Sequence, residues 1–224
     1  MSTKACFLFW LGLISVVTCQ ANISTDAPAK DQQLIAAATR GEVAEVKALL
    51  AEGAGVGAKD KLGRTALLAA THANQIETAA VLIAAGADVN ARDNIMDSPY
   101  LYAGAEGRLE ILRLTLAAGA DLKSTNRFGG TALIPAAEKG HVENVRELLK
   151  TKIDVNHVNR PGWTALLEVC LKPRGPAYVE ITRLLLAGGA NPNLADKQGV
   201  TPLAHAVRTG NREVAELLKV AGGR

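Results

Sequence analysis

The sequence predicts an all-α solenoid of about six helix-turn-helix repeats joined by β-hairpin-like finger loops. Three observations carry this reading. First, Thr65-Ala66-Leu67, Ser98-Pro99-Tyr100, Thr131-Ala132-Leu133, Thr164-Ala165-Leu166 and Thr201-Pro202-Leu203 recur at steps of 33, 33, 33 and 37 residues. Second, another column runs in phase with the first: Gly86-Ala87-Asp88-Val89-Asn90, Gly119-Ala120-Asp121-Leu122, Ile153-Asp154-Val155-Asn156 and Ala190-Asn191-Pro192-Asn193. Third, aromatic residues are only 4% of the chain while Ala, Leu and Gly dominate. Short side chains let small helices pack closely, and each repeat then needs to touch only its neighbours.

In chain order, residues 1–21 read as a secretory signal peptide. Lys4 supplies the positive charge, an apolar run follows from Ala5 to Val17, and small polar residues come after it. The run is shorter than the ~20 apolar residues that span a bilayer. Two processing routes stay open. Cys19-Gln20-Ala21 permits cleavage after Ala21, which gives a soluble exported protein, periplasm being the expected destination. Alternatively, Val16-Val17-Thr18-Cys19 resembles a bacterial lipobox whose cysteine would be acylated to give an outer-membrane lipoprotein, although Thr18 departs from the usual Gly, Ala or Ser. Residues 22–30, with Asn22, Ser24, Thr25, Asp26 and Pro28, read as a flexible leader.

The repeat domain is expected over residues 31–224, in blocks of about 31–59, 60–91, 92–123, 124–158, 159–195 and 196–224. Each block pairs a short Ala/Leu helix with a second helix carrying an apolar stripe, such as Val43, Val46, Leu49 and Leu50 in the first. Thr65 is expected to cap a first helix through its hydroxyl. Gly86 is expected to stop a second helix in the left-handed conformation. Block five carries four extra residues around Lys172-Pro173-Arg174-Gly175-Pro176, between its helices, where a longer loop costs little. The end blocks place charged residues such as Lys47, Glu52, Arg212 and Glu216 on their outer faces, as the caps of a stack require.

These residues resemble ankyrin-repeat proteins over about residues 31–222, and within that superfamily the small exported ankyrin proteins of bacteria. The resemblance implies a binding strip made of finger tips and the exposed faces of the first helices. One departure stands out. The family's His, three residues after the Thr, is replaced by Leu68, Leu101, Ile134, Leu167 and Ala204, and His205 falls one place late. Apolar packing is therefore expected to steady the fingers in place of a Thr–His hydrogen bond.

Candidate chemistry is sparse. His72, His141, His157 and His205 lie at different phases of the repeat, and no metal-ligand spacing, phosphate-binding Gly motif or nucleophile elbow appears. No catalytic residue, metal or cofactor is assigned. Of three cysteines, Cys6 leaves with the signal and Cys19 is removed or lipidated, so Cys170 has no disulfide partner. Its slot is shared with Thr71, Gly104, Ala137 and Val207, which marks it as a small buried position; a redox or catalytic centre at Cys170 is the alternative. Without Lys4, 24 basic residues face 22 acidic ones, and no basic stripe is visible along the chain, which argues against nucleic acid.

The expected partner is another protein, held by a monomer with no small-molecule substrate; a membrane enters only if Cys19 is lipidated. The candidate contact residues are those that the repeat pattern leaves free: Ile95 and Tyr102 in block three, Arg127, Phe128 and Pro135 in block four, and Arg160, Trp163 and Glu168 in block five. Rigid aromatics beside arginines match the composition of interface hot spots. Trp163 and Phe128 could equally stiffen adjacent fingers, and pre-stiffened fingers lose less entropy on binding.

Overall fold

The computed structural model describes residues 27–172 and 175–224. The expected signal peptide, the Cys19 lipidation route and residues 22–26 of the expected leader lie outside the described residues, as do Pro173 and Arg174 of the insertion. Twelve helices are formed among the described residues: α1 Ala27–Arg40, α2 Val43–Ala51, α3 Ala66–His72, α4 Ile76–Ala84, α5 Pro99–Ala105, α6 Leu109–Ala117, α7 Leu133–Glu138, α8 Val142–Leu149, α9 Ala165–Cys170, α10 Pro176–Ala187, α11 Pro202–Arg208 and α12 Arg212–Val220. Helix α1 starts at Ala27, so residues 27–30 are helical rather than part of a flexible leader.

The helices form two layers. First helices stack in the order α1, α3, α5, α7, α9, α11, and second helices in the order α2, α4, α6, α8, α10, α12. The apolar columns of the sequence become the seam between them. Leu34, Leu67, Tyr100, Leu133 and Leu166 occupy one column and are all buried. Close approach is decided at the Cys170 slot: a Cβ at Gly104 would lie 2.8 Å from Ala132 Cβ, so α5 and α7 meet only because that position is bare. The buried Asn144 amide then donates to the Ala103 and Gly104 carbonyls at 2.9 and 3.2 Å and ties repeat four to repeat three.

First helices start where the Thr/Ser column says. The hydroxyls of Thr65, Ser98, Thr164 and Thr201 accept the N–H of Leu68, Leu101, Leu167 and Ala204. Thr131 breaks the rule. Its hydroxyl is buried without a partner, and α7 begins one residue later without a side-chain cap. Pro135 is the cause. In other repeats the fourth residue after the Thr or Ser donates to its carbonyl, as Ala69 does to Thr65 at 3.0 Å. Pro135 has no N–H, so Ile134 N–H turns to the Thr131 carbonyl at 3.2 Å and leaves the hydroxyl empty. A proline near a helix start usually removes only a spare N–H, but here it removes the cap.

The fingers are five-residue turns, closed by hydrogen bonds such as Asp93 N–H to the Asp97 carbonyl and Asn159 N–H to the Trp163 carbonyl. No strand forms among the described residues, and ladder pairing is confined to one Lys59–Thr65 bridge.

Candidate functional site

The fingers owe their shape to a column that sequence reading passed over. Asp60, Asp93, Asn126, Asn159 and Asp196 recur at the same steps as the Thr column. Each side-chain oxygen accepts two backbone N–H groups of its own turn, as Asn126 Oδ1 does from Phe128 at 2.9 Å and Gly130 at 3.1 Å. Polar bonds therefore steady the fingers, not the expected apolar packing. An Asn ladder adds links between repeats: Asn156 donates to the Gly189 carbonyl and accepts from Asn191 N–H at 2.7 Å.

His205 also does more than its late position suggested. Its Nε2–H donates to Asp196 Oδ2 at 2.7 Å in a buried pair, and its Nδ1 accepts from Arg208 at 2.8 Å. Burial alone would raise the Asp196 carboxyl. The Val200 N–H, His205 and the Gln198 N–H outweigh that and hold it below the usual range.

Between these fingers and the first helices of repeats three to five lie two adjoining clefts. The larger, about 250 Å³, is lined by Asp97, Tyr102, Glu106, Arg127 and Lys139. The smaller, about 110 Å³, is lined by Ile134, Asn159, Pro161 and Glu168. Both share Asn126, Phe128, Pro135 and Glu138. Phe128 is 53% exposed and stands between them. The Arg127 guanidinium carbon lies 4.9 Å from the centre of its ring, and the guanidinium reaches Asp97 at 3.9 Å. Lys139 pairs with Glu106, and Lys172 with Glu138 at 3.0 Å.

The acids of this groove are unevenly served. Burial and the neighbouring Glu138 carboxylate push the Glu168 carboxyl above the usual range, more than Lys172 and Asn159 pull it down. Burial and Asp93 do the same to Asp97. The Tyr102 ring stacks on His72 of the preceding repeat, with centroids 3.8 Å apart and planes 11° from parallel. Burial, with Arg64 nearby, lowers the His72 imidazole and favours the neutral ring.

Of the residues expected from sequence, Tyr102, Arg127, Phe128, Pro135 and Glu168 converge on this groove. Pro135 is buried in its floor. Ile95 is 51% exposed on the finger of repeat three, outside both clefts. Arg160 turns back along the fingers, its N–H on the Phe128 carbonyl at 2.9 Å and its guanidinium on the Arg127 carbonyl at 3.2 Å. Trp163 packs against His205 at 5.3 Å, so its ring supports the junction of repeats five and six. Glu106 and Asn126 were missed, as was the His72 stack; only the 33-residue column of Asp and Asn carried a signal for Asn126.

Cys170 is fully buried, and burial pushes its thiol up to about 12, the reverse of what a nucleophile needs. The remaining histidines are built into the frame. His157 bonds the Gly129 carbonyl at 2.7 Å, and His141 sits against Gly107. Among the described residues no cluster of His, Cys, Asp or Glu could hold a metal, and no helix is long and apolar enough to cross a membrane.

The family model for ankyrin repeats in three copies matches residues 7–93 and 100–176, and that for ankyrin repeats in many copies matches residues 176–218. The chain belongs to the ankyrin-repeat family. An ankyrin repeat domain from Acinetobacter baumannii AYE, solved as a crystal structure, is 58% identical to it. The match covers 86% of this chain and 98% of that one, with a TM-score of 0.83. The ankyrin repeat protein EF0377 is 41% identical over 84% of this chain and 97% of its own, with a TM-score of 0.81. Comparison with curated proteins gives no match. Ankyrin repeats are generally protein–protein interaction modules, and this ankyrin array presents two adjoining clefts on the finger and first-helix side.

Proposed function

We propose that this ankyrin array is a non-catalytic protein-binding module of an exported compartment, the periplasm, where it holds a partner in the groove of repeats three to five. The observation that carries the reading is the convergence of Tyr102, Arg127, Phe128, Pro135 and Glu168 on adjoining clefts whose walls are fixed by turn and helix hydrogen bonds. A preformed groove loses little entropy on binding. Its half-buried acids and exposed aromatic supply both recognition and desolvation gain. An exported enzyme, whose folding or activity the array supports, is the partner class in view.

The high thiol pKa of Cys170 argues against the redox alternative. The exported location rests on residues 1–21 alone.

Crosslinking in cells followed by mass spectrometry tests the reading, comparing the natural chain with Phe128→Ala. Phe128 is half exposed, so its removal leaves the frame intact. One partner captured by the natural chain and lost in the variant is the expected result. The same proteins captured by both, or none by either, would remove the groove as the binding site. Recovery of the chain in an osmotic-shock fraction, with a mature mass lacking residues 1–21, is expected for the export; a mass retaining Met1 would sink it, and a lipid on Cys19 would place it as an anchored scaffold.

A further inference from the structure

The tips of the fingers carry a pattern that no stretch of sequence displays. In each finger the first residue after the Asp/Asn column is exposed, and across five fingers it reads Lys61, Asn94, Arg127, Arg160 and Lys197. The next position is exposed too, and in the first four fingers it is apolar: Leu62 at 56%, Ile95 at 51%, Phe128 at 53%, and Pro161. A row of cations thus runs beside a row of apolar side chains along the crest of the array. The absence of a basic stripe along the chain is corrected by the fold, which brings together charges that lie 33 or more residues apart.

Of the acids of the same fingers, Asp97 reaches a crest cation, Arg127 at 3.9 Å. Asp60, Asp93 and Asp196 are turned inward, with Oδ1 atoms spent on the N–H groups of their own turns. Asp60 is further paired with Arg64 at 2.8 Å, and Asp196 with His205. Among the described residues, Lys61, Arg160 and Lys197 have no acid within ion-pair distance, and Arg127 meets Asp97 only at 3.9 Å. Arg160 donates to the Arg127 carbonyl and Lys197 to the Arg160 carbonyl. A guanidinium has five N–H donors and an ammonium three, so each keeps donors for a ligand.

We infer that this crest recognises an acidic segment of a partner protein, with carboxylates on Lys61, Arg127, Arg160 and Lys197 and apolar side chains on Leu62, Ile95 and Phe128. The inference rests on the protein-binding reading above and names the chemistry of the partner. A polyphosphate chain would satisfy the cations and leave the apolar row in water. An anionic bilayer could meet both rows, but Glu138 and Glu168 lie in the cleft immediately behind Phe128 and would face the same negative surface. A polypeptide can place acids on the crest and neutral or basic groups over those carboxylates. Complementary charge of this kind acts mainly on partner choice and association rate.

The test is a random peptide display library selected on the full chain. Selection is repeated on the combined variant Arg127→Glu, Arg160→Glu, Lys197→Glu, and on the milder Lys61→Glu. Enriched peptides are expected to be acidic with interspersed apolar residues. A synthetic copy should bind the combined variant at least about tenfold more weakly, and lose affinity as salt rises. Neutral or basic consensus peptides would overturn the inference. So would acidic ones that bind the charge-reversed variants unchanged, or tighter binding to phosphatidylserine vesicles or a single-stranded oligonucleotide. Peptides that bind through the clefts but ignore the crest variants would leave the protein-binding reading standing without this partner class; a library that yields no binder at all would remove both.

Discussion

Met96 shows how a single residue can carry a repeat's departure from its own rule. The third position after Asp60, Asn126, Asn159 and Asp196 is a glycine in the left-handed conformation, with Gly63, Gly129, Gly162 and Gly199 at φ between +75° and +101°. In the finger of repeat three Met96 takes that conformation at φ +69°. For a residue with a side chain this costs about 1–2 kcal/mol, against about 0.5–1 kcal/mol of extra unfolded-chain entropy that glycine would bring. The strain wins, so Met96→Gly is expected to stabilise the chain by roughly 0.5 kcal/mol in urea denaturation. A loss of stability would mean that Met96 packs usefully on the crest. Cys170, by contrast, is a residue whose chemistry is switched off by where it lies: the slot that demands a small side chain also buries the thiol.

At the scale of the element, the first helices differ in one hydroxyl. Thr65 and Thr164 cap α3 and α9, while Thr131 caps nothing because Pro135 has redirected Ile134 N–H. Thr→Val keeps the side-chain shape and removes only the hydroxyl. Thr65→Val and Thr164→Val are expected to cost about 1 kcal/mol each. Thr131→Val is expected to be neutral or stabilising, because it removes a buried hydroxyl that has no partner. Equal penalties at all three sites in chemical denaturation would show that α7 is capped after all. The Thr column and its cap were legible from sequence; the failure at Thr131 was not, because a proline's effect depends on which carbonyl its missing N–H would have reached.

For the whole molecule, stability is a sum over neighbours. Each repeat is covered only by the next, so the last repeat shields repeat five: α11 and α12 pack on α9 and α10, and Thr209 bonds the Cys170 carbonyl at 3.0 Å. Deleting residues 196–224 would uncover the faces of α9 and α10 that pack on α11 and α12, with the Trp163 ring that leans on His205. A loss of several kcal/mol is expected, seen as a fall in Tm of about 10 °C at roughly 2–4 °C per kcal/mol. An unchanged melt would mean that repeat six adds no coupling energy. The ion pairs that bridge second helices, Arg113 with Glu147 at 3.3 Å and Arg146 with Glu180 at 3.0 Å, are solvent-exposed and add little to this sum.

Sequence by itself determined the repeat, its phase, the buried Leu columns, most of the caps and the part of the chain that forms the groove. All of these are set by contacts within one repeat or by a fixed period, and a period survives translation into one dimension. Only the tertiary structure decided what the free positions do. Trp163 and Phe128 look alike as exposed aromatics in neighbouring fingers, yet one packs on His205 and the other stands at 53% exposure between two clefts. Likewise Lys61, Arg127, Arg160 and Lys197 are scattered cations until stacking sets them in a row. The physical reason is common to both cases. A side chain's role at a free position depends on the neighbouring repeat, and that neighbour lies about one full period away in the chain.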